Sequence, residues 1–372
     1  MTNALSKVFH WNLGIEHWLL DIDRLPRPDM HYESDFRSDT VTKPTPEMYE
    51  AMRKAELGDD VLGDDPTVNR LEAITAEMLG KEAGLYVSSG TQGNQIGLAI
   101  HCKPGDELIC EFGAHTYNNE SGAMARIACA QPRPIKGKNG VMDAAEVESL
   151  IRPNNIHNPR TALVTVENTH NGAGGTIVPL ENIRAIGEVA KRRNIKYHLD
   201  GARLWNAHVA TGIALKDWCR DFDTVSVCLS KGLCSPVGSV LCGSKTDIER
   251  ARYLRKQLGG GMRQVGILAA CGIISVTKMV ARLADDHANA RKLAEGLAAM
   301  KGVQLDLATV QTNIVFFSLP GREKDLPAHI EKLQAQNVLA MALGGRVRMV
   351  THHDVDKDDV ERALKAWKSV LG

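Results

Sequence analysis

The sequence predicts an α/β protein built on a doubly wound, mostly parallel sheet, with a smaller α+β unit at its C-terminal end. Two observations lead there. Short apolar runs alternate with helical patterns between Gly84 and Gly243, and each run ends abruptly in polar or small residues. After Gly266 the pattern turns helical through Lys301, and the remaining residues, 303–372, carry only two further strand-like runs.

Taken in order, residues 1–34 form an N-terminal extension. Trp11, Ile15, Trp18 and Leu19 fall at helical spacing, and Leu25-Pro-Arg-Pro28 reads as a linker. Glu16, Asp21 and Asp23 argue against a secretory or transit leader. Helices are expected over 46–55 and 68–79, separated by an acidic, turn-rich loop containing Gly58, Gly63 and Pro66. Strands are expected at 84–87, 107–111, 162–166, 196–199, 224–229 and 239–243, with intervening helices such as 91–102 and 180–193. In the C-terminal unit, strands fall near 312–317 and 346–350. This divides the chain into the extension (1–34), a large domain (35–278) and a small domain (279–372).

The 372 residues include 45 Lys+Arg and 45 Asp+Glu, so the formal net charge is zero. A balanced charge gives no basis for binding nucleic acid or an anionic membrane. No apolar run approaches the roughly 20 residues of a membrane span. The eight cysteines form no C-x-x-C pair and no zinc spacing. Several lie inside apolar runs, which suits buried free thiols and a reducing, cytoplasmic compartment.

Two strand ends carry the chemistry. The run before Asp200 delivers a carboxylate, and the run before Ser230-Lys231 delivers an amine into a Gly/Ser/Pro loop. Ligands of open α/β sheets sit at the carboxyl ends of strands. A lysine there suits a Schiff base with pyridoxal 5′-phosphate, and an Asp suits holding the cofactor's ring nitrogen protonated. Taken alone, the pair fits a helix-capping Asp and a surface Lys equally well. Ser88-Ser-Gly90-Thr91-Gln-Gly93, between a strand and a helix, offers free amides to a phosphate, although it lacks the ending of a P-loop. Arg203 and Arg348, with Arg346 two positions earlier as the alternative to Arg348, are candidates for a carboxylate ligand, because a guanidinium matches a carboxylate bidentately. Adjacent His352 and His353 would point to opposite faces of a strand, so no metal site is read there.

The stretches Asp200-Gly-Ala-Arg203, Leu229-Ser-Lys231-Gly-Leu, Arg37-Ser-Asp-Thr-Val-Thr-Lys-Pro44, Gly58-Asp-Asp-Val, Ser89-Gly-Thr91, Glu167-Asn-Thr-His170-Asn and Gly259-Gly-Gly-Met-Arg263-Gln resemble the L-threonine aldolase family. The blocks stand in the family's order from about Arg37 to Asp354. The resemblance implies the aspartate-aminotransferase-like fold (fold type I), with pyridoxal 5′-phosphate bound to Lys231 and its ring nitrogen held by Asp200. It implies Gly90 and Thr91 at the phosphate, His115 stacked on the ring, and Asn168 at the cofactor's 3-oxygen. Ser38 joins Arg203 and Arg348 at the substrate carboxylate, and the catalytic base that takes the substrate's β-hydroxyl proton is His115 or a water held with His157. Lys256 and Arg263, around Gly259-Gly-Gly261, would reach the neighbouring subunit's phosphate and carboxylate. A homodimer with shared sites is then expected, and a homotetramer beyond it.

The implied reaction is cleavage of L-threonine, L-allo-threonine or another β-hydroxy-α-amino acid to glycine and an aldehyde. Racemases and β-eliminating lyases share the architecture and are the alternative. A nicotinamide enzyme or a non-catalytic binding protein would need a G-x-G-x-x-G after the first strand, and the sequence has none there. The chain departs from the family pattern at Leu62, Gln92, Asn118 and Asn119. Each departure alters size or polarity near the expected position of the β-substituent.

Overall fold

A computed structural model describes residues 34–372, so the expected extension with Trp11 and Trp18 lies outside the described residues. In chain order the strands are β1 (Ser34–Asp35), β2 (Ala83–Val87), β3 (Glu107–Glu111), β4 (Gln131–Ile135), β5 (Thr161–Glu167), β6 (Lys196–Asp200), β7 (Thr224–Cys228), β8 (Ser239–Gly243), β9 (Ile314–Phe317), β10 (Val338–Leu339), β11 (Met341–Leu343) and β12 (Arg346–Val350). The main sheet has seven strands in the order β2-β8-β7-β6-β5-β3-β4. All its pairings are parallel except those of β8. Every residue of β3, β5, β7 and β8 is buried, as expected where helices cover both faces of a sheet.

One departure from the expected elements is β4. Its sequence, Gln-Pro-Arg-Pro-Ile, does not read as a strand, yet it pairs in register with β3 at the sheet edge. An edge strand tolerates proline because the missing amide can face away from its single neighbour.

The antiparallel β8 positions the key loop. Cys228, the last residue of β7, pairs with Ser239, the first of β8, so the connection carrying Lys231 turns back at the carboxyl edge of the parallel strands. Within it the Leu229 amide donates to the Gly238 carbonyl at 3.1 Å. The Lys231 carbonyl accepts from the Cys234 amide and from Thr42 Oγ1, each at 2.9 Å. In the neighbouring strands, Glu167 of β5 is in register with Asp200 of β6, and Asp200 with Ser226 of β7.

The helix Gly90–Ala99 lies tightly on these strands. A Cβ on Gly93 would stand 2.4 Å from Ser226 Oγ, and one on Gly97 would stand 2.5 Å from His198 Cε1. Glycine at both places is what lets the helix approach, and its first turn therefore reaches the end of β7.

A second core forms around the antiparallel β11-β12-β9 sheet and the helices Leu283–Ala298 and Lys357–Leu371. Phe317 and Trp367 meet edge to face within it, with ring centres 5.0 Å apart. Phe36 belongs to this same core, and β1 pairs in parallel with β10. The start of the described chain is thus stitched to its C-terminal part, which carries Ser38 to Thr42 past the carboxyl edge of the main sheet. Among the described residues no single helix is long and apolar enough to cross a membrane, and all eight cysteines are unpaired.

Candidate active site

A cleft of about 660 Å³ opens at the carboxyl edge of the main sheet, lined by Ser38, Thr40, His115, Asn118, Asn119, Ser121, Asn171, Arg203, Lys231 and Arg348. Five expected residues, Ser38, His115, Arg203, Lys231 and Arg348, therefore come together from distant parts of the chain. The Nζ of Lys231 has no hydrogen-bond or ion-pair partner among the described residues, while its backbone is held by the two donors described above.

Asp200 ends β6, where it is buried. Its Oδ2 accepts from Asn94 Nδ2 at 2.9 Å, and its Oδ1 accepts from the Ala202 amide at 3.1 Å. Next to it, Glu120 is buried and meets His115 Nδ1 at 2.9 Å. The ligand atoms of His115, Glu120 and Asp200 lie within 4.8 Å of one another. Burial alone would push the His115 imidazolium down, but the hydrogen bond to Glu120 and the charges of Asp200 and Glu167 outweigh it and raise the pKa above 6.5. Glu167 also fixes the backbone here, accepting from the His115 amide at 2.6 Å and the Asn171 amide at 2.8 Å.

Two guanidinium groups converge on one atom. Arg203 Nη1 lies 3.3 Å, and Arg348 Nη2 3.0 Å, from Asn171 Oδ1. They are not equivalent. Arg203 is clamped by Asp39 through Nε at 2.7 Å and Nη2 at 2.6 Å, with both side chains buried. Burial opposes ionisation of Asp39, but Arg203, helped by Lys231 and Arg348, holds its carboxyl well below the usual carboxylate range. Two of the Arg203 donors are thus engaged by Asp39, while the side chain still lines the cleft. Arg348 has no such partner. Its Nη1 donates to the Arg37 carbonyl at 3.2 Å, and its buried Nε has no partner.

Gly90 and Thr91 open the helix Gly90–Ala99, where their amides have no intrahelical acceptor. Gly90 packs on the end of β7, and a Cβ there would stand 2.6 Å from Cys228 Sγ. Asn168, just past β5, is fully buried; its Oδ1 accepts from the Val178 amide at 3.1 Å, while Nδ2 has no partner among the described residues.

Three expected residues stand apart from this cleft. His157 is exposed in the loop before β5, at the amino end of the parallel strands. The seven residues of β5 separate it from Glu167, roughly 20 Å along an extended strand. Within its own chain His157 lies away from the catalytic set. Lys256 lines a different cleft, with Asp60, Leu62 and Tyr253. Arg263 is exposed and paired with Asp59 at 3.0 Å.

Sequence reasoning missed Asp39, Asn94, Glu120 and Asn171 as members of the site. Asp39 and Asn171 sit within the quoted blocks, beside residues that were singled out. Glu120, five positions beyond His115, carries no local signal.

The residues fit pyridoxal 5′-phosphate. A partnerless lysine amine, a buried carboxylate at the adjacent strand end, an orphaned buried amide at Asn168 and free helix amides beside Gly90 form the matching donor set.

Comparison with known proteins agrees with this geometry. The beta-eliminating lyase family model matches residues 35–320. The chain is 43% identical over 338 residues to the low specificity L-threonine aldolase of Escherichia coli K12, covering 91% of this chain and 99% of that one. It is 41% identical over 343 residues to the low-specificity L-threonine aldolase 1 of Arabidopsis thaliana, covering 91% and 96%. Among solved structures, the Leishmania major threonine aldolase superposes with a TM-score of 0.78 at 21% identity, covering 91% of this chain and all of that one. The Rhizobium meliloti aspartate aminotransferase superposes with a TM-score of 0.68 at 14% identity, covering 91% of each, which places the fold among type I pyridoxal phosphate enzymes.

Proposed function

The chain belongs to the beta-eliminating lyase family, and from that premise we propose that it cleaves L-threonine-type β-hydroxy-α-amino acids to glycine and an aldehyde with pyridoxal 5′-phosphate. The observation that carries the reading is the convergence of Lys231, Asp200 and His115 with the Arg203–Asn171–Arg348 group at one sheet edge.

Lys231 would hold the cofactor through Nζ, with the amides of Gly90 and Thr91 available to its phosphate and Asn168 Nδ2 to its 3-oxygen. The bound cofactor supplies an electron sink for the pair left on Cα when the Cα–Cβ bond breaks. Asp200 would serve as the partner of its ring nitrogen. Arg348, with Ser38 and the N–H groups of Arg203 not taken by Asp39 and Asn171, binds the substrate carboxylate. His115 Nδ1 is committed to Glu120, leaving Nε2 as the ring nitrogen that accepts the β-hydroxyl proton. Asn118 and Asn119 line the same cleft, so a polar surface faces the β-substituent.

The exposed Lys256 and Arg263 support a dimer in which each chain completes its neighbour's site, with two dimers joining as a tetramer. The unpaired cysteines support a reducing, cytoplasmic setting. The test is glycine release from a panel of threonine, allo-threonine, serine and alanine, followed together with the visible absorption of the purified protein. Glycine and aldehyde in equal amounts are expected. Racemised alanine, or pyruvate from serine, without glycine would refute the aldolase assignment.

A further inference from the structure

Asn94 lies buried behind the cleft and touches two carboxylates at once. Its Nδ2 is 2.9 Å from Asp200 Oδ2 and 2.9 Å from Glu120 Oε1. Carboxylate oxygens accept, so both amide hydrogens face them and Oδ1 faces the other way. Oδ1 meets His198 Nε2 at 3.4 Å, the longest link of the series, and that nitrogen must therefore be an N–H. Burial pushes the fully enclosed His198 imidazolium down to about 3, so the ring is neutral and Nδ1 carries no proton. The Thr224 hydroxyl, 2.9 Å from Nδ1, must then donate to it. The remaining lone pair of Thr224 Oγ1 accepts from His101 Nε2 at 3.1 Å. Every link runs the same way, from His101 to Asp200.

We propose that Asn94 is a positioning residue for Asp200, terminating a one-directional hydrogen-bond chain through His101, Thr224 and His198 that holds Asp200 Oδ2 as an acceptor. The inference rests on the reading that Asp200 partners the cofactor's ring nitrogen. None of the four residues lines the cleft, so their effect passes through Asp200. The fold makes room for them, because the Cβ that Gly97 lacks would collide with the His198 ring. An apolar pair would fill the same space between helix and sheet without this polar network, so packing alone does not account for it. Both hydrogen bonds described for Asp200 come from donors, the Asn94 amide and the Ala202 backbone, and together they fix its rotation.

The test has two arms. In 15N-labelled apoprotein, long-range nitrogen–proton correlation spectra read the tautomers, and protons on Nε2 of His101 and His198 are expected. In protein loaded with pyridoxal 5′-phosphate labelled at the ring nitrogen, wild type should show a protonated nitrogen. Asn94→Leu should shift that resonance toward the unprotonated value and weaken cofactor binding about tenfold, as loss of one hydrogen bond to a charge implies. His198→Gln, whose Nε2 restores a donor to Asn94, should stay near wild type, while His198→Asn, which mimics only Nδ1, should shift partway. A proton on Nδ1 of His198 would overturn the proposal, as would an unshifted resonance in folded Asn94→Leu. If Asn94→Leu does not fold, equal behaviour of the two His198 variants overturns it instead. An unprotonated ring nitrogen in wild type would remove the assigned role of Asp200, and with it the role of Asn94, while the histidine tautomers still report on the chain itself.

Discussion

Replacing Arg348 by Gln should separate binding from stability. The side chain is buried on β12, and burial first, then the like charge of Arg203, pushes the pKa of its guanidinium down to about 10. That descent corresponds to roughly 3 kcal/mol by which folding disfavours the charge. Removing the cation relieves that cost and forfeits the two charge-assisted hydrogen bonds to the Arg37 carbonyl and Asn171 Oδ1, one of which the Gln amide can replace, a net loss of about 1.5–3 kcal/mol. The variant should therefore be no less stable than wild type in a urea melt. A substrate carboxylate bound to Arg348 contributes about 1.5–3 kcal/mol, a factor of roughly 10–100. Because the carboxylate is held before and during bond cleavage, kcat/KM should fall by that factor mainly through KM. Steady-state threonine cleavage and urea midpoints together decide it. A lower midpoint with KM unchanged would show that Arg348 serves the fold and not the substrate.

Other perturbations have different signatures. Asp39→Asn leaves Arg203 buried without its countercharge and should cost about 3–5 kcal/mol in urea unfolding, opposite in sign to the Arg348 variant beside it; an unchanged midpoint would contradict the clamp. His115 must be unprotonated to accept the hydroxyl proton, so activity should rise with pH through a limb displaced upward from the ordinary histidine range. Glu120→Gln removes a group that raises this pKa, and the limb should move to lower pH; a stationary limb would exclude His115 as the titrating base. Mixing inactive Arg263→Ala and Lys231→Ala subunits should restore part of the activity, since hybrid dimers would then hold one intact site. No recovery in a verified hybrid would refute the shared site.

Much of the fold was legible because buried parallel strands leave unbroken apolar runs, and both β3 and β8 fall at their expected limits. The proline-bearing β4 was hidden because its pairing depends on a neighbour and not on its own propensity. Within the site, Lys231 and Asp200 could be read because each follows an apolar strand. Arg203 could be read by type, but its clamp to Asp39 joins segments far apart in sequence. The motif around His157 carries no information about which end of the sheet its loop occupies. Asn94 sits on a glycine-rich helix whose polar face is buried, a pattern that resembles solvent exposure until the sheet is placed against it.

The most direct test of the account is peptide mass spectrometry of the purified protein after borohydride reduction. A single reduced pyridoxal phosphate adduct on the peptide carrying Lys231, absent from Lys231→Ala, is the predicted result. An adduct on another lysine, or an unmodified Lys231 in protein that cleaves threonine, would contradict it.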